Sequence, residues 1–287
     1  MANILIAGCG YIGTALGSLL AAEGQTVWGL RRDPATLPSE IRPWAADLTS
    51  PDTLQTLPPA IDWVVYSAAP DTHDDTAYRS VYVDGLNNLL HALTVQQAHP
   101  RRVFLTSSTG VYGESSGAWV DETSPTEPRE FGGIRLLEGE RLLLDGPFPA
   151  TVLRLGGLYG PGRASLIEQV RRGEIAWDNE SPVYFNRIHR DDAAGALRHL
   201  MTLPRPDPVY VGVDHEPTTL AVLLDWLADA LGVSPTRPGE SSKTRTARHP
   251  ANKRCRNAKL VTSGYTFHYP TFREGYTALL TGQAGAR

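Results

Sequence analysis

The sequence predicts an α/β protein: a doubly wound parallel sheet with helices on both faces, followed by a small C-terminal lobe. Three observations predict it. Short apolar runs alternate with segments of helical period through residue 155, and repeated strand–helix units joined by right-handed crossovers build a parallel sheet. A glycine-rich turn joins the first apolar run to the first helical segment. The chain of 287 residues is 41% hydrophobic and 20% charged, a composition that lets a fold bury roughly three quarters of its unfolded surface.

Asn3–Ala7 is the first strand, and Ile12, Ala15, Leu16, Leu19 and Leu20 fall on one face of the helix that follows. Gly24 closes that helix, and residues 26–30 make the second strand. The alternation continues with a strand at 42–46, a helix from about Pro51, an apolar run at 61–66, a long helix across 76–97 and a strand at 102–106. Residues 107–129, rich in Ser, Gly, Thr and Pro, read as a long loop at the carboxyl edge of the sheet, where such folds build their sites. A helix over 130–145 and the strand Ala150–Leu155 resume the rhythm. Beyond them, short helices and strands alternate with Pro-rich breaks at 204–208 and 235–250. The expected division is a dinucleotide-binding domain over 1–160 and a second lobe over 161–287, partly interleaved with it.

Composition narrows the function classes. The formal net charge is −4, without the basic face that nucleic-acid or membrane-surface binding usually requires. The locally basic stretch 237–256 is interrupted by Pro, Gly and Ser and reads as a solvated loop. No apolar run approaches the roughly 20 residues of a membrane span, and the N-terminus lacks a signal-peptide pattern. With only Cys9 and Cys255 as thiols, a reducing, cytoplasmic location is expected. No paired Cys/His spacing indicates a metal site and HExxH is absent, while the GxSxG string at Gly113–Gly117 falls inside the loop over 107–129 and not at the strand-to-helix elbow that a serine hydrolase needs.

Gly8-Cys9-Gly10-Tyr11-Ile12-Gly13 fits GxGxxG at a strand-to-helix junction. There the glycines permit a tight turn and close backbone approach, while the helix N-terminus attracts a diphosphate. Gly8, Gly10, Tyr11, Ile12 and Gly13 are therefore assigned to cofactor binding. The second strand runs out into Arg31-Arg32-Asp33. Two guanidiniums at that edge suit the 2′-phosphate of NADP, whereas Asp33 on a ribose diol would favour NAD; NADP is the expectation, NAD the alternative. Cys9, inside the turn, reads as a small filler residue.

The turn AGCGYIG, LTSSTGVYG at 105–113, SPTEP at 124–128, RLGGLYGPG at 154–162, IHRDDAAGA at 188–196 and NKRCRNAKL at 252–260 occur in order along the chain. Together they resemble the extended short-chain dehydrogenase/reductase family of NAD(P)-dependent epimerases and dehydratases. Ala7 stands where the family's turn usually has its first glycine, which resembles an atypical branch. The resemblance implies a Rossmann-type sheet, a substrate-binding C-terminal lobe, a small polar or nucleotide-linked substrate, and a homodimer. It also implies that Ser108 is the catalytic hydroxyl that hydrogen-bonds the reacting oxygen. Asp47 would contact adenine, and Ala68 and Ala69 would line the nicotinamide-ribose side. Read from local pattern instead, Ser108 caps a turn and Asp47 starts the next helix.

The family's proton relay is YxxxK on a helix, where i and i+4 share a face and the ammonium lowers the phenol's pKa. At that place stand Phe131 and Arg135. Phenylalanine has no proton to exchange, and arginine stays charged at any working pH. No tyrosine is followed four residues later by lysine, and the first lysine is Lys243. Tyr112, Tyr78, His73, Tyr159 and His189 remain as proton-transfer candidates, with Tyr112, Tyr159 and His189 in positions the family keeps for scaffold reasons. Arg135 is a candidate for stabilising a developing alkoxide. Two readings follow: an NADP-dependent oxidoreductase or nucleotide-sugar epimerase-like enzyme with an altered relay, or a non-catalytic NAD(P)-binding redox sensor or scaffold.

Overall fold

A computed structural model of the chain describes residues 1–176, 183–234 and 252–282. The chain forms two compact units, the first comprising Met1–Gly113, Pro125–Leu155 and Ala193–Gly212, the second Glu114–Ser124, Gly156–Asp192 and Val213–Arg287. Segments of the two units alternate along the chain.

The first unit is a Rossmann-like sheet. Its elements in chain order are β1 (Asn3–Ala7), α1 (Tyr11–Ala22), β2 (Thr26–Arg31), β3 (Arg42–Ala45), β4 (Trp63–Tyr66), α2 (Asp75–Arg79), α3 (Leu86–Val95), β5 (Arg102–Ser108) and α4 (Phe131–Leu144), followed by the strands Ala150–Leu155 and Val209–Gly212. The seven strands are all parallel, in the order Val209–Gly212, Ala150–Leu155, β5, β4, β1, β2, β3. Strand order reverses between β1 and β4, which opens a crevice at their carboxyl ends. Four of the five β1 residues are buried, as a strand covered on both faces must be. Leu5, Val64, Val103 and Val152 join Leu86, Leu89 and Leu93 of α3 in one apolar cluster. Truncating any of these leucines to alanine should cost about 2–5 kcal/mol.

Four local readings are corrected by tertiary context. The helix expected from Pro51 is a single 3₁₀ turn, Pro51–Leu54. The long helix across 76–97 is interrupted by a π-helical stretch, Ser80–Gly85, between α2 and α3. Neighbours hold that wide turn: Tyr66 Oη donates to Val81 O at 2.5 Å, and α4 packs so closely that a methyl group on Gly139 would stand 2.4 Å from Tyr82 O. Leu19, expected on the buried face of α1, is 37% exposed. The loop over 107–129 contains a 3₁₀ turn, Thr109–Val111, and a short strand, Trp119–Val120.

The second unit has its own core, in which Tyr159, Ile167, Val170, Leu223, Leu224, Leu227, Phe272 and Tyr276 pack together. The helix Leu220–Leu231 ends at Gly232 in the left-handed region, and Phe272–Leu280 begins with a capping box between Thr271 and Glu274. Asp192 is fully buried and accepts from the amides of His268 and Tyr269 and from Tyr265 Oη. The aspartate of the IHRDDAAGA segment therefore ties the unit together. In the basic stretch 237–256, only 252–256 is described, and that part is not solvated loop. Arg254–Cys255 is a short strand and Lys253 is 5% exposed. The Asn186 amide holds it by bonding Lys253 O and Cys255 N.

Candidate active site

The turn between β1 and α1 is shaped by glycine where glycine is required. Gly8 has φ +79°, and a methyl group there would stand 2.3 Å from Ala68 Cα, so no other residue fits without moving the chain. The amides of Gly8 and Cys9 donate to Leu30 O at 2.9 and 3.0 Å, and the Gly10 amide donates to Gly8 O at 2.7 Å. Gly10 faces the other way: nothing lies closer than 3.8 Å to the space its side chain would fill. Tyr11, Ile12 and Gly13 then form the first turn of a 12-residue helix with no acidic residue in it. An open backbone concavity at an unopposed helix N-terminus fits a diphosphate. Cys9 is fully buried, and burial pushes its thiol up to about 11, which keeps it neutral and consistent with a filler role.

The end of β2 lies against this turn. Arg31 Nη1 donates to Cys9 O at 3.5 Å, a long contact that holds the guanidinium at the rim of the concavity. Arg32 pairs with Asp71 at 2.7 Å, both side chains more than 60% exposed, an arrangement of little stabilising value. Asp33 caps the 3₁₀ turn Pro34–Thr36 by accepting from the Ala35 amide, so its carboxylate is engaged locally. Asp47 is likewise turned onto its own segment, its Oδ1 accepting from the amide and hydroxyl of Thr49. At the end of β4, Ala68 is half-buried beneath Gly8, and Ala69 is exposed.

Ser108 ends β5, and its Oγ accepts from the Gly110 amide at 3.0 Å. It caps a turn, while its hydroxyl hydrogen is left to donate elsewhere. Its neighbour Ser107 donates to Glu140 Oε1 at 2.6 Å. Glu140, 1% exposed on α4, receives Arg154 through Nε at 3.1 and 3.2 Å and Nη2 at 2.7 Å, and Arg154 Nη1 reaches Tyr112 Oη at 2.9 Å. This buried network fixes the end of β5, the site loop and α4 at once, and it explains Tyr112 as a scaffold residue. Glu140 and Arg154 were missed as site-shaping residues. Their signal lay in the sequence all the same: one acid on an otherwise apolar helix face and one base in a strand with no other charge.

Phe131 and Arg135 stand in the first turns of α4. The Phe131 ring lies 5.2 Å from Tyr78, edge to face, and 5.0 Å from His73. Arg135 is held by Asp75 at 2.7 and 2.9 Å and by Glu138 at 2.8 and 3.0 Å. Its charge is thus already matched by two carboxylates, an unfavourable starting point for a cation meant to stabilise an alkoxide. In the second unit, Tyr159 stacks on Tyr276 at 4.7 Å. His189 Nδ1 accepts from the Asp191 amide, and burial depresses this imidazole to about 4. Both are packed groups rather than exchangeable ones.

Comparison with known proteins agrees with this geometry. The model of the NAD dependent epimerase/dehydratase family matches residues 4–211. A solved structure from Methylobacillus flagellatus, assigned to the NAD-dependent epimerase/dehydratases, is 37% identical and superposes with a TM-score of 0.82 over 98% of each chain. Protein YeeZ of Escherichia coli K12 is 30% identical over 73% of this chain and 77% of its own. A Streptomyces 3-diazoavenalumate denitrifying reductase is 26% identical over 95% of this chain and 98% of its own. The chain belongs to the NAD-dependent epimerase/dehydratase family. Its fold is the NAD(P)-binding fold of that family, and no described helix is long and apolar enough to cross a membrane.

Proposed function

We propose that the protein is an NADP-dependent oxidoreductase of the epimerase/dehydratase type, acting on a small polar or nucleotide-linked alcohol or carbonyl. One observation carries the cofactor choice. At the end of β2, Arg31 borders the turn while Asp33, the group that would favour NAD, spends one carboxylate oxygen on the Ala35 amide. The amides of Tyr11, Ile12 and Gly13 would hold the diphosphate over the backbone of Gly8 and Gly10, Arg31 with Arg32 the 2′-phosphate, Asp47 the adenine side, and Ala68 and Ala69 the nicotinamide ribose. Bound there, the nicotinamide supplies hydride chemistry. Ser108 would donate its free hydrogen to the reacting oxygen, and Arg135, tied to α2 and α4, would position rather than stabilise charge. The C-terminal lobe would take the substrate.

Calorimetry tests the assignment: NADPH should bind at least roughly tenfold more tightly than NADH, and Arg31→Ala should close most of that gap, a change of about 1.4 kcal/mol. Equal affinities in the unmodified protein would overturn the role of Arg31. Phe131 favours a second reading, a cofactor-binding sensor without turnover. It would be supported by tight NADPH binding together with no NADPH oxidation across a panel of carbonyl compounds.

A further inference from the structure

We propose that Tyr78 exchanges the proton of the reaction, with His73 as its hydrogen-bonded proton reservoir, and that this pair replaces the tyrosine and lysine absent from α4. The inference rests on the oxidoreductase reading above. His73 Nδ1 and Tyr78 Oη are 3.0 Å apart, and in the Nδ1–H tautomer the imidazole donates to the phenol and leaves its hydrogen to point away.

The pair sits beside the vacated position. Phe131, which holds the place of the family's tyrosine, touches both rings. A methyl group on Gly132 would stand 3.0 Å from Tyr78 Cε1, and one on Gly133 would stand 2.4 Å from Gly110 O. Gly110 belongs to the turn that Ser108 caps. The chain from Tyr78 across the start of α4 to the Ser108 turn is therefore continuous in van der Waals contact. Among the proton-transfer candidates, Tyr112 is bonded to Arg154, and Tyr159 and His189 are buried in the second unit. His73, in contrast, is exposed and Tyr78 half-buried, so this pair can trade protons with water.

The surrounding charges are fixed by partners. Asp74 caps α2 through the Ala77 amide and accepts from Thr72. Asp75 and Glu138 hold Arg135, Arg79 lies near Asp84, and Asp71 pairs with Arg32. Tyr82 packs on Tyr78 at 5.4 Å. Burial raises the Tyr78 phenol above its ordinary value and keeps it protonated near neutrality, and the hydrogen bond from His73 Nδ1–H opposes that rise by favouring the phenolate when the proton leaves. In the reducing direction the substrate carbonyl carbon accepts a hydride from NADPH, leaving NADP⁺, and the carbonyl oxygen takes the proton from Tyr78 Oη. Solvent delivers a proton to His73 Nε2 as the Nδ1 proton passes to the phenolate, leaving the neutral Nε2–H tautomer, which returns to Nδ1–H by exchange with water. Oxidation of an alcohol runs the same transfers backwards.

The test reads the phenol directly. Ultraviolet difference titration with and without saturating NADP⁺ should show one tyrosine whose pKa falls by a unit or more when the cationic nicotinamide is bound, and Tyr78→Phe should abolish that signal while keeping the ring contacts. In turnover of a carbonyl panel, Tyr78→Phe should lower kcat roughly 100-fold with KM little changed. His73→Gln should lower it less and displace the limb of the pH profile. Calorimetry on the same samples separates the two levels. If NADP⁺ and NADPH fail to bind, the parent reading falls and this one with it. If they bind but the tyrosine titration does not move, or if Tyr78→Phe turns over at the unmodified rate, only the Tyr78 proposal is overturned.

Discussion

Two buried polar clusters, one in each unit, are built in opposite ways. In the first unit, Glu140, Arg154, Tyr112 and Ser107 bond one another at 2.6–3.2 Å. In the second, Tyr159 Oη, Arg187 Nη1, His189 Nε2 and Asp214 Oδ2 are buried without a hydrogen-bond partner among the described residues. Burying a paired charge is tolerable, whereas an unpaired one changes its protonation or draws in water. The first cluster can therefore hold a site by its own bonds. The second makes the lobe's stability respond to pH.

The largest effect should come from breaking the satisfied cluster. Arg154→Met leaves Glu140 buried without its cation and should cost about 3–5 kcal/mol in denaturant unfolding. The pair Glu140→Leu with Arg154→Met should recover most of that loss, because replacing both charges removes the stranded one. A single variant within 1 kcal/mol of the unmodified protein would show that the network does not bear on stability.

The unsatisfied cluster should give the next effect, and its sign follows from Asp214. Burial raises this carboxyl to about 8, against the pull of the Glu216 amide and of Arg187. The native state keeps the proton where the unfolded chain, near 4, has lost it. Stability is thus greatest below about pH 4 as far as this group is concerned, falls as pH rises towards 8, and levels above it. Asp214→Asn keeps the bond to the Glu216 amide and removes the titration. Its melting temperature should exceed that of the unmodified protein by roughly 5–10 °C at pH 8, with the gap shrinking steadily towards pH 4. A gap independent of pH would place the proton elsewhere in the lobe.

The smallest effect tests the rim of the paired cluster. Tyr112→Phe keeps the ring under the Arg154 guanidinium, 5.0 Å from its centroid, and removes one hydrogen bond, for a loss of about 1 kcal/mol. A loss above 3 kcal/mol would make Tyr112 a central member of the network rather than an edge.

The same contrast between local and assembled features explains what the sequence revealed. Strands buried on both faces are local statements, and Asn3–Ala7 and Ala150–Leu155 were legible with their bounds because nothing but their apolar run is needed. The turn at Gly8 was legible because only glycine tolerates that backbone beneath Ala68. The π-helical stretch was not, since the carbonyls it frees are served by Tyr66 and crowded by α4, both distant in sequence. Lys253 looked like part of a solvated run because its burial depends on Asn186. The site was half legible. Phe131 and Arg135 stood out by their residue types, but that Phe131 touches Tyr78 and His73, and that Arg135 is spent on Asp75, are facts of assembly.

The widened turn at Ser80–Gly85 also acts as a phase setter. It inserts one residue into the helical count, so side chains before it are rotated by about 100° relative to those after it. Leu86, Leu89 and Leu93 can then settle on the sheet while Tyr78, upstream, faces the first turn of α4. Excising a single position from that coil would re-clock the two halves and swing the phenol off Phe131, without altering any residue that meets a ligand.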